Sequence, residues 1–188
     1  MAKKAFFDTE TTGMVLWSDP SGAEHQPHIV QLAALLVDME TQETVGALDV
    51  IIKPDGWVIP ADMTLIHGIT NEQALDEGIP EKEAVSMLLD LIGENNRIAH
   101  NQGFDARIIR IATKRFFDEA TQGKWKAGKG ECTAQLSRKL VALPKTKVPT
   151  LQEAYTHFYG KPFEGAHSAM ADTLACRDVY FAVQKQSS

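Results

Sequence analysis

Two apolar runs rich in Val, Ile and Leu, residues 28–38 and 44–53, are separated only by the polar stretch 39–43. That spacing reads as a pair of antiparallel strands joined by a short turn. Residues 4–8, aromatic and apolar, read as a third strand ahead of them. Beyond residue 70 the period changes. Asn71–Glu77 reads as a short helix with Thr70 as its N-cap, and residues 80–92 place Val85, Leu88, Leu89 and Ile92 at helical spacing after Pro80. Residues 97–100 read as a brief strand. Residues 104–117 form a helix whose apolar face is Ile108, Ile109, Ile111 and Ala112. Residues 121–130 read as a Gly/Lys loop. Residues 133–143 and 150–159 read as helices set apart by Pro144 and Pro149, and residues 168–184 as a last helix. Strands first, then helices interrupted by one strand, make an α/β pattern whose sheet has an antiparallel part. A chain of 188 residues suits a single domain, 1–188.

Composition excludes some classes. No stretch approaches the roughly 20 apolar residues of a membrane helix. Lys3 and Lys4 precede a short apolar run, but Asp8 and Glu10 interrupt it before a secretory signal can form, so a cytoplasmic protein is expected. Cys132 and Cys176 have no metal-knuckle spacing and read as reduced thiols. The net charge of −6 is unevenly spread. Residues 1–120 hold nine Lys/Arg against 20 Asp/Glu, whereas residues 121–161 hold eight against two. The basic segment contains Lys124, Lys126, Lys129, Arg138, Lys139, Lys145, Lys147 and Lys161 and is expected to guide an anionic strand.

Three segments carry the chemistry. In Phe6-Phe7-Asp8-Thr9-Glu10-Thr11-Thr12-Gly13 an apolar strand runs into Asp-x-Glu. Alternate strand residues share a face, so Asp8 and Glu10 stand side by side at a strand end, where they repel each other unless a cation neutralises them. A hard cation such as Mg²⁺ favours such oxygen ligands. In Ile98-Ala99-His100-Asn101-Gln102-Gly103-Phe104-Asp105 a strand ends in polar turn residues and Asp105 opens a helix. In Gly165-Ala166-His167-Ser168-Ala169-Met170-Ala171-Asp172, Ser168 suits an N-cap, His167 lies in the loop before it, and Asp172 falls within a mostly apolar helix start. A carboxylate there needs a partner or a metal. Taken singly, each segment also has a bland reading: a polar turn, a helix cap, a surface histidine.

Together the three resemble the motifs of the DEDDh branch of the DnaQ-like 3′→5′ exonuclease family. The first matches Phe7 to Gly13, the second His100-Asn101 followed by Phe104-Asp105, the third His167 with four residues before Asp172. The tyrosine of the sister branch would fall at Ser168, so the histidine type is favoured. A fourth segment, Ile66-His67-Gly68-Ile69-Thr70, is similar to one that lies beside the terminal nucleotide in that family.

The resemblance implies an RNase H-like mixed sheet flanked by helices. It implies Mg²⁺ or Mn²⁺, two ions, held by Asp8, Glu10, Asp105 and Asp172, with His167 as general base. Thr9, Thr11, His67 and Phe104 would contact substrate, a single-stranded or frayed nucleic-acid 3′ end. With two such ions the net charge would rise from −6 to −2. Trp17, in the loop 14–27, is a further candidate for stacking. His25, His28, His100 and His157 show no metal-ligand spacing. The chain ends soon after the last motif, without the tail that ties a proofreading subunit to its polymerase. A free-standing enzyme, of phage or prophage type, is therefore expected rather than one with a dedicated polymerase partner. Two other readings compete: a catalytically silent nucleic-acid-binding module of the same fold, and a partner-binding domain with a fortuitous motif set.

Overall fold

The computed structural model describes residues 2–141, 144 and 147–187. Five strands, β1 (Lys3–Thr11), β2 (Ile29–Asp38), β3 (Thr44–Ile51), β4 (Asn96–Ala99) and β5 (Gly130–Cys132), form one sheet in the order β3-β2-β1-β4-β5. The expected hairpin of residues 28–38 and 44–53 is β2 and β3, and β1 pairs antiparallel with β2. β4 runs parallel to β1 and β5 parallel to β4, so the sheet is mixed. β2 is buried along nearly its whole length because helices cover both faces of the sheet.

Alternation along β1 sorts the core. Ala5 and Phe7 pack with Leu32, Ala34, Leu88, Ile92, Ile108 and Ile111, on the side of α3 (Glu81–Ile92) and α4 (Gln102–Phe116). Phe6 packs on the other side with Leu35, Val37, Ile98, Cys176 and Tyr180, against α8 (Ala169–Ser187). Both phenylalanines are fully buried, and truncating either to Ala costs about 3–5 kcal/mol.

Several expectations move. β1 does not stop at Asp8 but continues through Glu10 to Thr11, still paired with β2. α1 (Ala61–His67) and α2 (Asn71–Glu77) precede α3, and Thr70 caps α2 as expected, accepting from the N–H of Gln73. The expected loop 121–130 is instead the helix α5 (Glu119–Ala127), capped by Asp118. Trp125 decides this. It is 6% exposed, its indole N–H donates to the Ala106 carbonyl (3.0 Å), and the Arg97 guanidinium lies 3.8 Å from its ring centroid. That anchor outweighs Gly123, the one glycine of the expected loop that falls inside the helix. The helix expected over 133–143 is the short α6 (Thr133–Ser137). Ser137 bonds back to the Thr133 carbonyl at 2.8 Å, a local competitor to helix propagation. Residues 142 and 143 lie outside the described residues, as does Lys145. α7 (Leu151–Tyr159) opens with a Thr150/Glu153 capping box. Among the described residues no helix is long and apolar enough to cross a membrane.

β4 is much shorter than β1. Its pairing reaches Phe6↔Ile98, and the strand ends at Ala99. Asp8 and Glu10 therefore overhang it, and the N-terminus of α4 fills the gap. This overhang, bounded by the starts of α4 and α8, is where the motif residues meet.

Candidate active site

β1 turns Asp8 and Glu10 to the α8 face of the sheet and Thr9 to the α4 face. Thr9 meets Asp105 there. Its backbone N–H and its hydroxyl both donate to Asp105 Oδ1, at 3.0 and 2.8 Å. Asp105, 3% exposed, sits in the first turn of α4, after Asn101 takes the left-handed conformation (φ 61°) that turns the chain off β4. Asp172 comes from the first turn of α8. Its Oδ2 accepts the His167 backbone N–H at 3.3 Å, and its Oδ1 is buried with no hydrogen-bond partner among the described residues. His167 is itself left-handed (φ 68°), a strained state for a non-glycine residue that costs about 1–3 kcal/mol and needs its surroundings to impose it. Gly165, two residues earlier, is also left-handed (φ 75°), and a Cβ there would press on Ala171 at 3.3 Å. The double turn brings a ring nitrogen of His167 and carboxylate oxygens of Glu10 and Asp172 within 4.8 Å of one another.

The electrostatics follow from burial. Desolvation holds the Asp8 carboxyl well above its ordinary range, and the charges of Asp105, Asp172 and Glu10 push it further. Burial, then Asp172 and Asp105, raise Glu10 to about 7. Burial also raises Asp105 to about 7, against the Thr9 hydrogen bonds that favour its charged form. Asp172 is raised to about 6 by burial, opposed by its bond to His167. Four carboxylates raised by burial, three of them raised further by the charges of their neighbours, are costly as a structural device. An all-oxygen set of this kind suits hard divalent cations, which would lower those pKa values and take up the unpartnered Asp172 oxygen.

The model of the RNase_T family, described as "Exonuclease", matches residues 5–180. This chain belongs to the exonuclease family. Its motif set places it with the DnaQ-like 3′→5′ exonucleases. No curated protein sequence matches it at significant similarity. Among solved structures, one of exonuclease I superposes with a TM-score of 0.78 at 23% identity, covering 98% of this exonuclease and 41% of that chain. The zinc-bound complex of Escherichia coli exonuclease I with single-stranded DNA gives 0.78 at 21%, covering 99% and 41%. The E. coli enzyme with a dT13 oligonucleotide gives 0.76 at 22%, covering 100% and 41%. These similarities show the fold, an RNase H-like mixed sheet flanked by helices. This exonuclease chain spans about two fifths of the length of those proteins.

The remaining candidates of this exonuclease divide into two groups. Thr9 is 6% exposed and both its donors are spent on Asp105, so it fixes a carboxylate rather than offering a free hydroxyl. Thr11 is equally enclosed and donates to the Gly13 carbonyl at 2.8 Å. Phe104 is half-buried against the core. His67, at the end of α1, does reach the site. Its pKa is lowered by burial and by the neighbouring His167. Its Nδ1 accepts the Ile69 N–H (3.1 Å), so its neutral ring carries the proton on Nε2, which is buried and unpartnered among the described residues. Trp17 is 59% exposed on a loop that Gln26 organises from inside through bonds to Leu16 and that Arg107 ties to α4 through Asp19.

The basic segment is split. Lys124 and Lys129 line a hollow with Asn95 and Arg97, at the start of β4, and Gly130 pairs with Arg97. They sit toward the opposite end of the sheet from the carboxylates, so α5 does not lead a strand straight to them. Lys147 pairs with Glu153 at 2.5 Å. His100 is structural, joining Thr133 Oγ1 and the Pro149 carbonyl, both at 2.9 Å. Gln31, missed in the sequence, lies opposite Glu10. The signal was present: one amide inside the apolar run Ile29–Asp38 must find buried partners.

Proposed function

We propose that this chain shortens single-stranded or frayed nucleic acid, DNA or RNA, from its 3′ end, releasing nucleoside 5′-monophosphates. The observation that carries the reading is the convergence of Asp8, Glu10, Asp105, Asp172 and His167 at the overhang of β1. Two Mg²⁺ or Mn²⁺ ions suit the donor set. Asp8, central among the charges, would be shared between them, Glu10 and Asp172 would hold one, and Asp105 the other. When bound, the ions supply charge neutralisation at the attacking and leaving oxygens of an in-line displacement.

The chain's own residues do the rest. His167 takes a proton from the attacking water as its oxygen bonds to the scissile phosphorus. The P–O3′ bond breaks, and the 3′ oxygen of the shortened strand gains a proton from solvent. Asp172, holding the His167 backbone, fixes where that ring stands. Thr9 keeps Asp105 oriented. The Nε2–H of His67 offers a donor to the terminal nucleotide beside His167, while Phe104 and Trp17 offer ring faces to its bases. The single-stranded DNA held by the similar exonuclease I structures supports a single-stranded substrate.

One observation favours a second role for His167. Its nitrogen stands within 4.8 Å of Glu10 and Asp172 oxygens, a spacing that also suits a ligand. Calorimetric Mn²⁺ titration of His167→Ala separates the two, since a base leaves metal affinity unchanged and a ligand does not. The reading as a whole is tested with strands labelled at either end. With Mg²⁺, a 5′-labelled strand should give a descending ladder and a 3′-labelled strand should lose its label as mononucleotide at once. A ladder from the 3′-labelled strand would contradict it. Parallel digestion of single-stranded DNA, single-stranded RNA, paired DNA and dinucleotides ranks the substrates.

A further inference from the structure

His167 stands in a strained turn that something must impose, and α8 must be set at one height for Asp172 to face Glu10. The first N–H of α8, that of Ala169, has no partner inside the helix. It is met from the sheet: Gln31 Oε1 accepts it at 3.0 Å. Gln31 is 9% exposed and lies directly across the β1–β2 ladder from Glu10. Its other amide atom, Nε2, donates to Asp49 Oδ1 on β3 at 2.8 Å. A carboxylate only accepts, so Asp49 admits the NH₂ end of the amide and obliges the oxygen to face Ala169. An amide without that neighbour could turn over and set N–H against N–H.

We propose that Asp49 and Gln31 form a positioning clamp for the reacting groups. Asp49 orients Gln31, Gln31 pins the N–H two residues after His167, and the pinned turn holds His167 and Asp172 against Glu10. Neither residue touches substrate in this account. Gln31 ties the strand that pairs with Glu10 to the start of the helix that carries Asp172, so beside the apolar packing of α8 on the sheet one polar side chain bridges the two elements that deliver these carboxylates. Other hydrogen bonds of the turn among the described residues are local, among them the Ser168 N–H to the Gly165 carbonyl, the Asp172 N–H to the Ser168 carbonyl and the His167 N–H to Asp172, and none of these three reaches the sheet. The clamp's catalytic meaning rests on the function proposed above; its existence as a restraint does not.

The test uses Gln31→Leu, Asp49→Ala, Gln31→Glu and the double variant Gln31→Glu/Asp49→Asn. Gln31→Leu leaves a buried N–H without its acceptor. We expect kcat to fall on the order of tenfold with KM within about twofold, and amide exchange at Ala169 in the metal-free protein to quicken on the order of tenfold. Asp49→Ala, at an exposed position that threatens no core, gives the same pattern more weakly. Gln31→Glu sets two carboxylates face to face and loses protection at Ala169. The double variant puts a donor at position 49, which removes the repulsion and lets the carboxylate at position 31 return to Ala169, and should regain both protection and most of kcat. Unchanged exchange at Ala169 in Gln31→Leu, or no recovery in the double variant, overturns the clamp. So does a loss of kcat and KM together with a lower melting temperature, which marks a role in folding only. If the wild type itself digests nothing, the proposed function fails, while exchange at Ala169 still decides the restraint.

Discussion

The metal-free protein should lose stability as pH rises, the reverse of the usual behaviour of paired carboxylates. Glu10 titrates at about 7 in the folded chain against an ordinary 4.5. Between those values the folded state holds a proton that the unfolded chain has released. Its contribution is therefore fully present below the unfolded value, falls as pH climbs, and is gone above the folded one. At about 1.4 kcal/mol per pH unit, Glu10 alone accounts for roughly 3 kcal/mol. A chain of this size moves about 2–4 °C per kcal/mol, so Glu10 corresponds to roughly 6–12 °C. Asp8, Asp105 and Asp172 are displaced in the same direction and share the repulsion, so their effects overlap rather than add. The assay is thermal melting in EDTA from about pH 5 to about pH 8. The melting temperature should fall across that range, Glu10→Gln should flatten the slope, and Mg²⁺ should restore stability at the alkaline end with little effect at the acid end. A flat or rising melting temperature in EDTA, or an unchanged slope in Glu10→Gln, would refute the crowded-carboxylate argument.

Three further outcomes follow from the geometry. His167→Ala should slow turnover by about 10²–10⁴-fold, the usual worth of a positioned general base, and erase one limb of the pH–rate profile; a profile of unchanged shape would remove it from proton transfer. Thr9→Val deletes the 2.8 Å bond to Asp105 but keeps the 3.0 Å backbone bond, so the Mg²⁺ needed for half-maximal rate should rise about tenfold, and an unchanged requirement would mean the backbone alone orients Asp105. Neutralising Lys124 and Lys129 together should leave KM for a short oligonucleotide within about twofold, because the hollow they line lies roughly 10 Å or more along the sheet from Asp8 and charges beyond a Debye length are screened; a tenfold rise in KM would put the strand's path across α5.

Much of this was legible in the residues. The hairpin of β2 and β3 showed as two apolar runs about a polar turn, and the helices after residue 70 showed in their spacing and caps. The five motif residues stood out because three segments, each bland alone, together resemble the motifs of the family. What stayed hidden depended on tertiary contacts. α5 looked like a loop because its stability comes from one residue, Trp125, wedged beside Phe7 and Arg97. β5 is three residues long and exists because β4 offers it an edge. α1 buries none of its residues, so it has no apolar stripe to read. The enclosed hydroxyls of Thr9 and Thr11 look the same in sequence as exposed ones. Gln31 and Asp49 are far from every motif in the chain and adjacent to them only through strand register.

The central claim is that the carboxylate overhang of β1 is a cation-dependent hydrolytic centre acting at a 3′ end. The most direct measurement follows a 5′-labelled single strand through time with the wild type and with Asp8→Ala, each in Mg²⁺ and again after EDTA. The account predicts a ladder that shortens from the 3′ end with release of nucleoside 5′-monophosphates, stops on adding EDTA, and is absent for Asp8→Ala despite an intact fold. A ladder that persists in EDTA, or one that Asp8→Ala still produces at the wild-type rate, would contradict it.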